Sequence, residues 1–173
     1  YTENQIMPIL QPITIDAHPT GNPWLNYSVY LNNILLPGIL ILLVMLCTTY
    51  TIGLEWKRNT QLVLYRISGN SPLTALMGKL LPQTLVFWLI YILYAVYFYR
   101  YLQYPCNSGI MAMIGVGMLT VLGAQGFATF LFGVSGQMRL SMCLCSLWGI
   151  LSFSLAGFTY PVTAMDPILQ KLS

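Results

Sequence analysis

Few side chains in this protein could do chemistry. It has one histidine, His18, and four carboxylates: Glu3, Asp16, Glu55 and Asp166. A single histidine cannot supply a His-based metal cluster, and no HExxH or GxSxG motif is present. Cys47, Cys143 and Cys145 lie in apolar runs, Cys106 lies in a short loop, and no CxxC occurs, so neither a zinc site nor a disulfide framework is expected. Gly78-Lys79 lacks the first glycine and the Ser/Thr of a GxxxxGK[ST] phosphate loop. The chain is therefore not expected to bind ATP, a metal or another cofactor by itself, and no catalytic residue is assigned. What remains is a concentration of charge. Glu55, Lys57, Arg58 and Arg66 fall within EWKRNTQLVLYRISGN, residues 55–70, and Lys79 follows shortly after.

The elements that position this stretch are dictated by composition. Hydrophobic residues make up 57% of the 173 residues and charged residues 6%, with a mean hydropathy of +0.69. Soluble domains carry about 25% charged residues, so this chain belongs in a bilayer. Four runs are apolar and long enough to cross it: 34–54, 80–99, 110–132 and the weaker 140–159. They are uniformly apolar, where a barrel strand would alternate. The expected fold is thus an all-α polytopic membrane protein with four transmembrane helices. Lacking interior charge, the spans hold none of the buried acids or bases that proton-coupled carriers use. Gln83, Thr84, Thr120, Gln125 and Thr129 are the polar groups at depth, read as interhelical hydrogen bonds.

The basic residues set orientation. Lys57, Arg58, Arg66, Lys79 and Arg139 flank the two loops, whereas Arg100 and Lys171 lie on the side of the termini. The excess places the loops in the cytoplasm of a cell's inner (plasma) membrane, crossed several times. Tyr97, Tyr99, Tyr101 and Tyr104 cluster at the outer end of the second span, as an aromatic belt does. Net charge is only +3 and its bases sit beside apolar runs, so lipid is the expected partner and nucleic acid is not. Residues 1–21 read as the end of an extracytoplasmic domain. Asn22-Pro23 marks a helix start and Pro37-Gly38 a bend. Residues 22–173 form the transmembrane domain.

Two further features bear on function. In the third span Ala112, Gly115, Gly123 and Gly126 recur on one helical face, and this face is expected to pack closely on a neighbouring helix. In the first cytoplasmic loop, residues 55–67 are expected to form a short helix with Leu62, Leu64 and Tyr65 against the bundle or membrane and the charges outward. Ser71-Pro72 then caps the next helix. The loop's charges either fix topology alone or dock a soluble partner.

The order of these pieces resembles the permease subunit of type-2 ATP-binding-cassette exporters. The matching residues are Asn22-Pro23 and Pro37-Gly38, then Glu55, Arg58 and Thr60 as E-x-x-R-x-T. SPL and GKLLP follow within 71–82, then AGFTYP and MDP within 156–167. That family commonly has E-x-x-x-GT at the second motif, with Asn59 here in the glycine position, and MP where Asp166 intervenes. The resemblance implies that Glu55, Lys57, Arg58, Thr60, Leu62, Tyr65 and Arg66 belong to a coupling helix that docks on a separate cytoplasmic ATP-binding subunit. It also implies a second permease, identical or different, and leaves room for a periplasmic adaptor. Gly157, Phe158 and Pro161 would begin a re-entrant segment at the outer face, about 160–173. The four spans would correspond to the second to fifth of six. The implied function is the membrane path of an ATP-driven exporter of drugs, lipids, lipid-linked glycans or peptides. The alternative is a membrane scaffold or assembly protein without transport.

Overall fold

The computed structural model describes residues 27–104 and 109–155. Five α-helices account for most of them: α1 Tyr27–Arg58, α2 Gln61–Ile67, α3 Pro72–Ala95, α4 Ile110–Ser135 and α5 Met138–Leu155. A π-helical turn, Val96–Tyr101, extends α3. Three helical stretches are long and apolar enough to cross a membrane: Tyr27–Arg58, Pro72–Tyr101 and Ile110–Ser135. The fourth expected span coincides with α5, whose 18 residues make a shorter apolar helix. The expected outer segment 1–21, the Asn22-Pro23 start, and the Gly157, Phe158 and Pro161 motif lie outside the described residues.

Packing centres on α4, which meets α1, α3 and α5; α1 also runs along α5 and touches α3 sparsely. The core joins Val44 and Met45 of α1 to Val121, Ala124 and Ala128 of α4 and Cys145 of α5. Small side chains let the helix axes approach where lipid supplies no hydrophobic drive for association. Gly117 carries this furthest, because a methyl group there would overlap the Tyr91 ring. Gly149 admits Leu42 in the same way, and Gly53 admits Met138.

Among the described residues, the expected small-residue face of α4 is not the one that packs. Ala112, Gly115, Gly123 and Gly126 are exposed, and Gly115, Gly123 and Gly126 have open space where a side chain would begin. The buried face is Gly117, Val121, Ala124, Gln125, Ala128 and Phe132. At about 100° per residue, Gly117 stands roughly 200° from Gly115, so the packed face is nearly opposite the expected one. Both faces carry small residues at helical spacing. Complementary bulk decides between them: the Tyr91 ring lies over Gly117 and the Trp56 ring against the buried Phe132, whereas Leu119 is 70% exposed.

Polar side chains at depth fasten the helices. Gln83 of α3 donates to Thr48 Oγ1 of α1 at 3.0 Å and accepts from Thr51 at 3.3 Å. Thr84 of α3 lies 2.6 Å from Gln125 Oε1 of α4, and Thr49 lies 3.2 Å from Cys145 Sγ of α5. Thr120 and Thr129 instead donate to carbonyls of their own helix. At the far end from α2, Tyr99 donates to Asn33 Oδ1 at 3.2 Å, and the Tyr104 hydroxyl meets Ser28 and Asn32. The expected aromatic cluster thus also ties α3 to the start of α1.

Candidate functional site

The charged stretch folds as an elbow between α1 and α3. Its first corner is a helix stop. Asn59 takes a left-handed conformation, φ 54°, and its N–H donates to the Trp56 carbonyl at 3.3 Å. Thr60 N–H donates to the Glu55 carbonyl at 3.2 Å. These paired bonds form a Schellman stop, which needs a residue tolerant of positive φ after the last helical turn. Glycine fits that position, and asparagine is the side-chain-bearing residue that fits it best. The E-x-x-x-G/N-T spacing follows from this geometry. The threonine falls where its hydroxyl can return to the glutamate, and Thr60 Oγ1 does donate to Glu55 Oε2.

Glu55 also reaches across the elbow. Lys79 Nζ of α3 lies 2.6 Å from Glu55 Oε1, with the two side chains 16% and 30% exposed. One carboxylate therefore holds three pieces together: the end of α1, the entry to α2 and the first turns of α3. The second corner repeats the device. Gly69, φ 72°, donates to the Arg66 carbonyl, and Asn70 N–H donates to the Tyr65 carbonyl at 3.0 Å. Ser71 then caps α3 as expected, its Oγ accepting from Thr74 N–H with Pro72 at the first position.

One expectation changes here. Residues 55–67 do not form a single helix, because Glu55, Trp56, Lys57 and Arg58 complete α1 and only Gln61–Ile67 forms the separate short helix. Asn59 in the left-handed region is the physical cause of the break. The seven residues named from the sequence are nonetheless brought together. Glu55 and Thr60 anchor the turn, Lys57, Arg58 and Arg66 are exposed, and Leu62 and Tyr65 lie on α2.

Beneath α2 runs a groove of about 350 Å³, walled by Ile52, Trp56, Leu64, Tyr65, Ala75 and Leu76. Gln61 borders it, and its Oε1 is buried without a hydrogen-bond partner among the described residues. No residue of α2 is buried. Leu62 is 65% exposed and Ile67 79%, and Val63 and Tyr65 are also exposed. Sequence reasoning named Leu62 and Tyr65 but missed Val63 and Ile67. The available signal was that 62, 63, 64 and 67 wrap around α2, more apolar surface than one seven-residue helix can bury on one side.

An α-helical bundle with membrane-length apolar helices, ending in an elbow that presents an uncovered short helix, has the architecture of an integral membrane protein. The family comparison makes this specific: the model of the ABC-2 family transporter proteins matches residues 2–173, and the chain belongs to that family. It is a membrane component of a transporter. No curated protein and no solved structure matches the chain significantly.

Proposed function

We propose that this chain is the permease subunit of an ATP-driven exporter, and that α2 is its coupling helix. ATP is bound and hydrolysed by a separate cytoplasmic subunit, and two permeases, identical or different, enclose the export path in the plasma membrane. Substrate and any periplasmic adaptor would meet the opposite face. The observation that carries this reading is the elbow. It is braced at both corners and by Glu55–Lys79, yet it leaves Leu62, Val63, Tyr65 and Ile67 uncovered at the end of the bundle. A helix serving only as a topology signal needs its cations, not exposed leucine and isoleucine on a fixed frame. A docking helix needs both, with apolar side chains for grip and Lys57, Arg58 and Arg66 for orientation.

The test is copurification of the ATP-binding subunit with the intact permease. The Leu62→Ser/Ile67→Ser double variant is expected to insert normally and to lose most of the copurifying ATPase. Normal recovery of the ATPase with this variant would support a scaffold without ATP coupling.

A further inference from the structure

A second feature at the same end of the bundle shares its Trp56 wall with the α2 groove and opens between other elements. An open depression of about 370 Å³ is bordered by the last turns of α1, through Gly53, Trp56 and Lys57, and by the α4–α5 turn, through Gly136, Met138 and Arg139. Two cations from different elements border one space. The sole carboxylate among the described residues is Glu55, and Lys79 and Thr60 occupy it. Lys57 and Arg139 therefore have no acidic partner among those residues.

The walls are fixed. Gly53 lets α1 close on Met138 so tightly that a methyl group would overlap it. Lys57 stands four residues on, one turn above that contact on the same face. Trp56 packs edge-on against Phe132, with ring centres 6.4 Å apart. Gly136 turns the chain in the left-handed region, φ 61°, and the Ser135 and Ser141 hydroxyls meet across the turn. The two cations thus project from a frame already assembled.

The depression lies where membrane-crossing helices end, the level of lipid phosphates, and its Trp56 wall has the amphipathic character of an interfacial residue. A guanidinium and an ammonium flanking a space with no carboxylate suit a phosphate, which Arg binds through paired N–H groups and Lys as a point charge. We infer that Lys57 and Arg139 hold the phosphate group of an anionic lipid in the depression between α1 and the α4–α5 turn. Free inorganic phosphate offers the same chemistry, but it lacks the acyl chains that would lie along the apolar helices below. The inference rests on the membrane assignment and not on ATPase coupling.

The experiment is native mass spectrometry of the intact protein released from nanodiscs of equal parts phosphatidylglycerol and phosphatidylcholine. Wild type is expected to retain phosphatidylglycerol preferentially. Lys57→Gln and Arg139→Gln should each lower that retention roughly fivefold, and the double variant about 25-fold. Lys57→Arg should preserve it. Arg66→Gln removes a cation outside the depression and should leave it unchanged, which separates site binding from diffuse charge. Excess inorganic phosphate should not displace the lipid. Absence of a preference, equal loss in Arg66→Gln, or displacement by inorganic phosphate would each overturn the inference. So would a double variant that retains the lipid but loses the ATP-binding subunit, which would make the depression a protein contact. Loss of lipid in Arg139→Gln, which lies outside the proposed docking residues, with normal ATPase recovery would support the lipid site and leave the coupling proposal intact.

Discussion

The body of the bundle and the elbow at its end are held together by opposite means. In the body, side chains of one helix seat on glycines of the next, Tyr91 of α3 on Gly117 of α4 and Leu42 of α1 on Gly149 of α5, and isolated hydrogen bonds such as Thr84 with Gln125 add to them. The elbow buries no residue of α2; two left-handed helix stops and one carboxylate set its shape. The difference teaches how a membrane protein can present a rigid lever. Backbone caps and an ion pair fix direction without covering the surface that must stay available, whereas packing would consume it.

The sharpest way to break this comparison is at Gly117. Gly117→Leu must displace Tyr91 and is expected to cost about 3 kcal/mol or more. The readout is unfolding in mixed detergent micelles together with yield of inserted protein. Near-wild-type stability would mean that α3 and α4 are not closely packed.

At the elbow the largest effect on stability is expected from Glu55→Gln, which keeps the shape but removes the charge facing Lys79. A loss of about 1–3 kcal/mol is expected for a partly buried charged hydrogen bond. Asn59→Val follows. A β-branched residue in the left-handed region costs about 1–2 kcal/mol, whereas Asn59→Gly should change stability by less than about 0.5 kcal/mol. If valine were tolerated as well as glycine, the helix stop would not be what sets the elbow. The smallest effect belongs to Gly126→Leu. Open space surrounds this position among the described residues, so a change within about 0.5 kcal/mol is expected in the same unfolding assay.

These variants also mark how far the sequence could be read. Three of the four membrane-length runs, the Ser71-Pro72 cap and the grouping of Glu55, Thr60, Lys57, Arg58 and Arg66 were legible because each depends on local chemistry or on composition over one helix. The packed face of α4 was not. Its helical period recurs on both sides, and the partner that selects Gly117 over Gly115 is Tyr91, a residue distant in sequence. The break at Asn59 was hidden for a related reason, since residues 55–67 are individually compatible with one continuous helix. Left-handed geometry at one asparagine is visible only once its carbonyl partners are placed. The Glu55–Lys79 pair joins residues on two helices, and nothing in their spacing announces it.

The central claim is that Glu55 acts by holding the elbow that drives coupling, and charge exchange tests it most directly. Substrate-stimulated ATP hydrolysis and export should be measured for Glu55→Lys and for the swapped Glu55→Lys/Lys79→Glu pair, each with its ATP-binding subunit. Glu55→Lys sets two ammonium groups together and is expected to abolish coupling while leaving insertion intact, because the added positive charge lies on the side that already carries the excess. The swap restores an ion pair across the elbow and is expected to recover most of the activity. Normal coupling in Glu55→Lys, or a swap as inactive as the single variant, would contradict the claim.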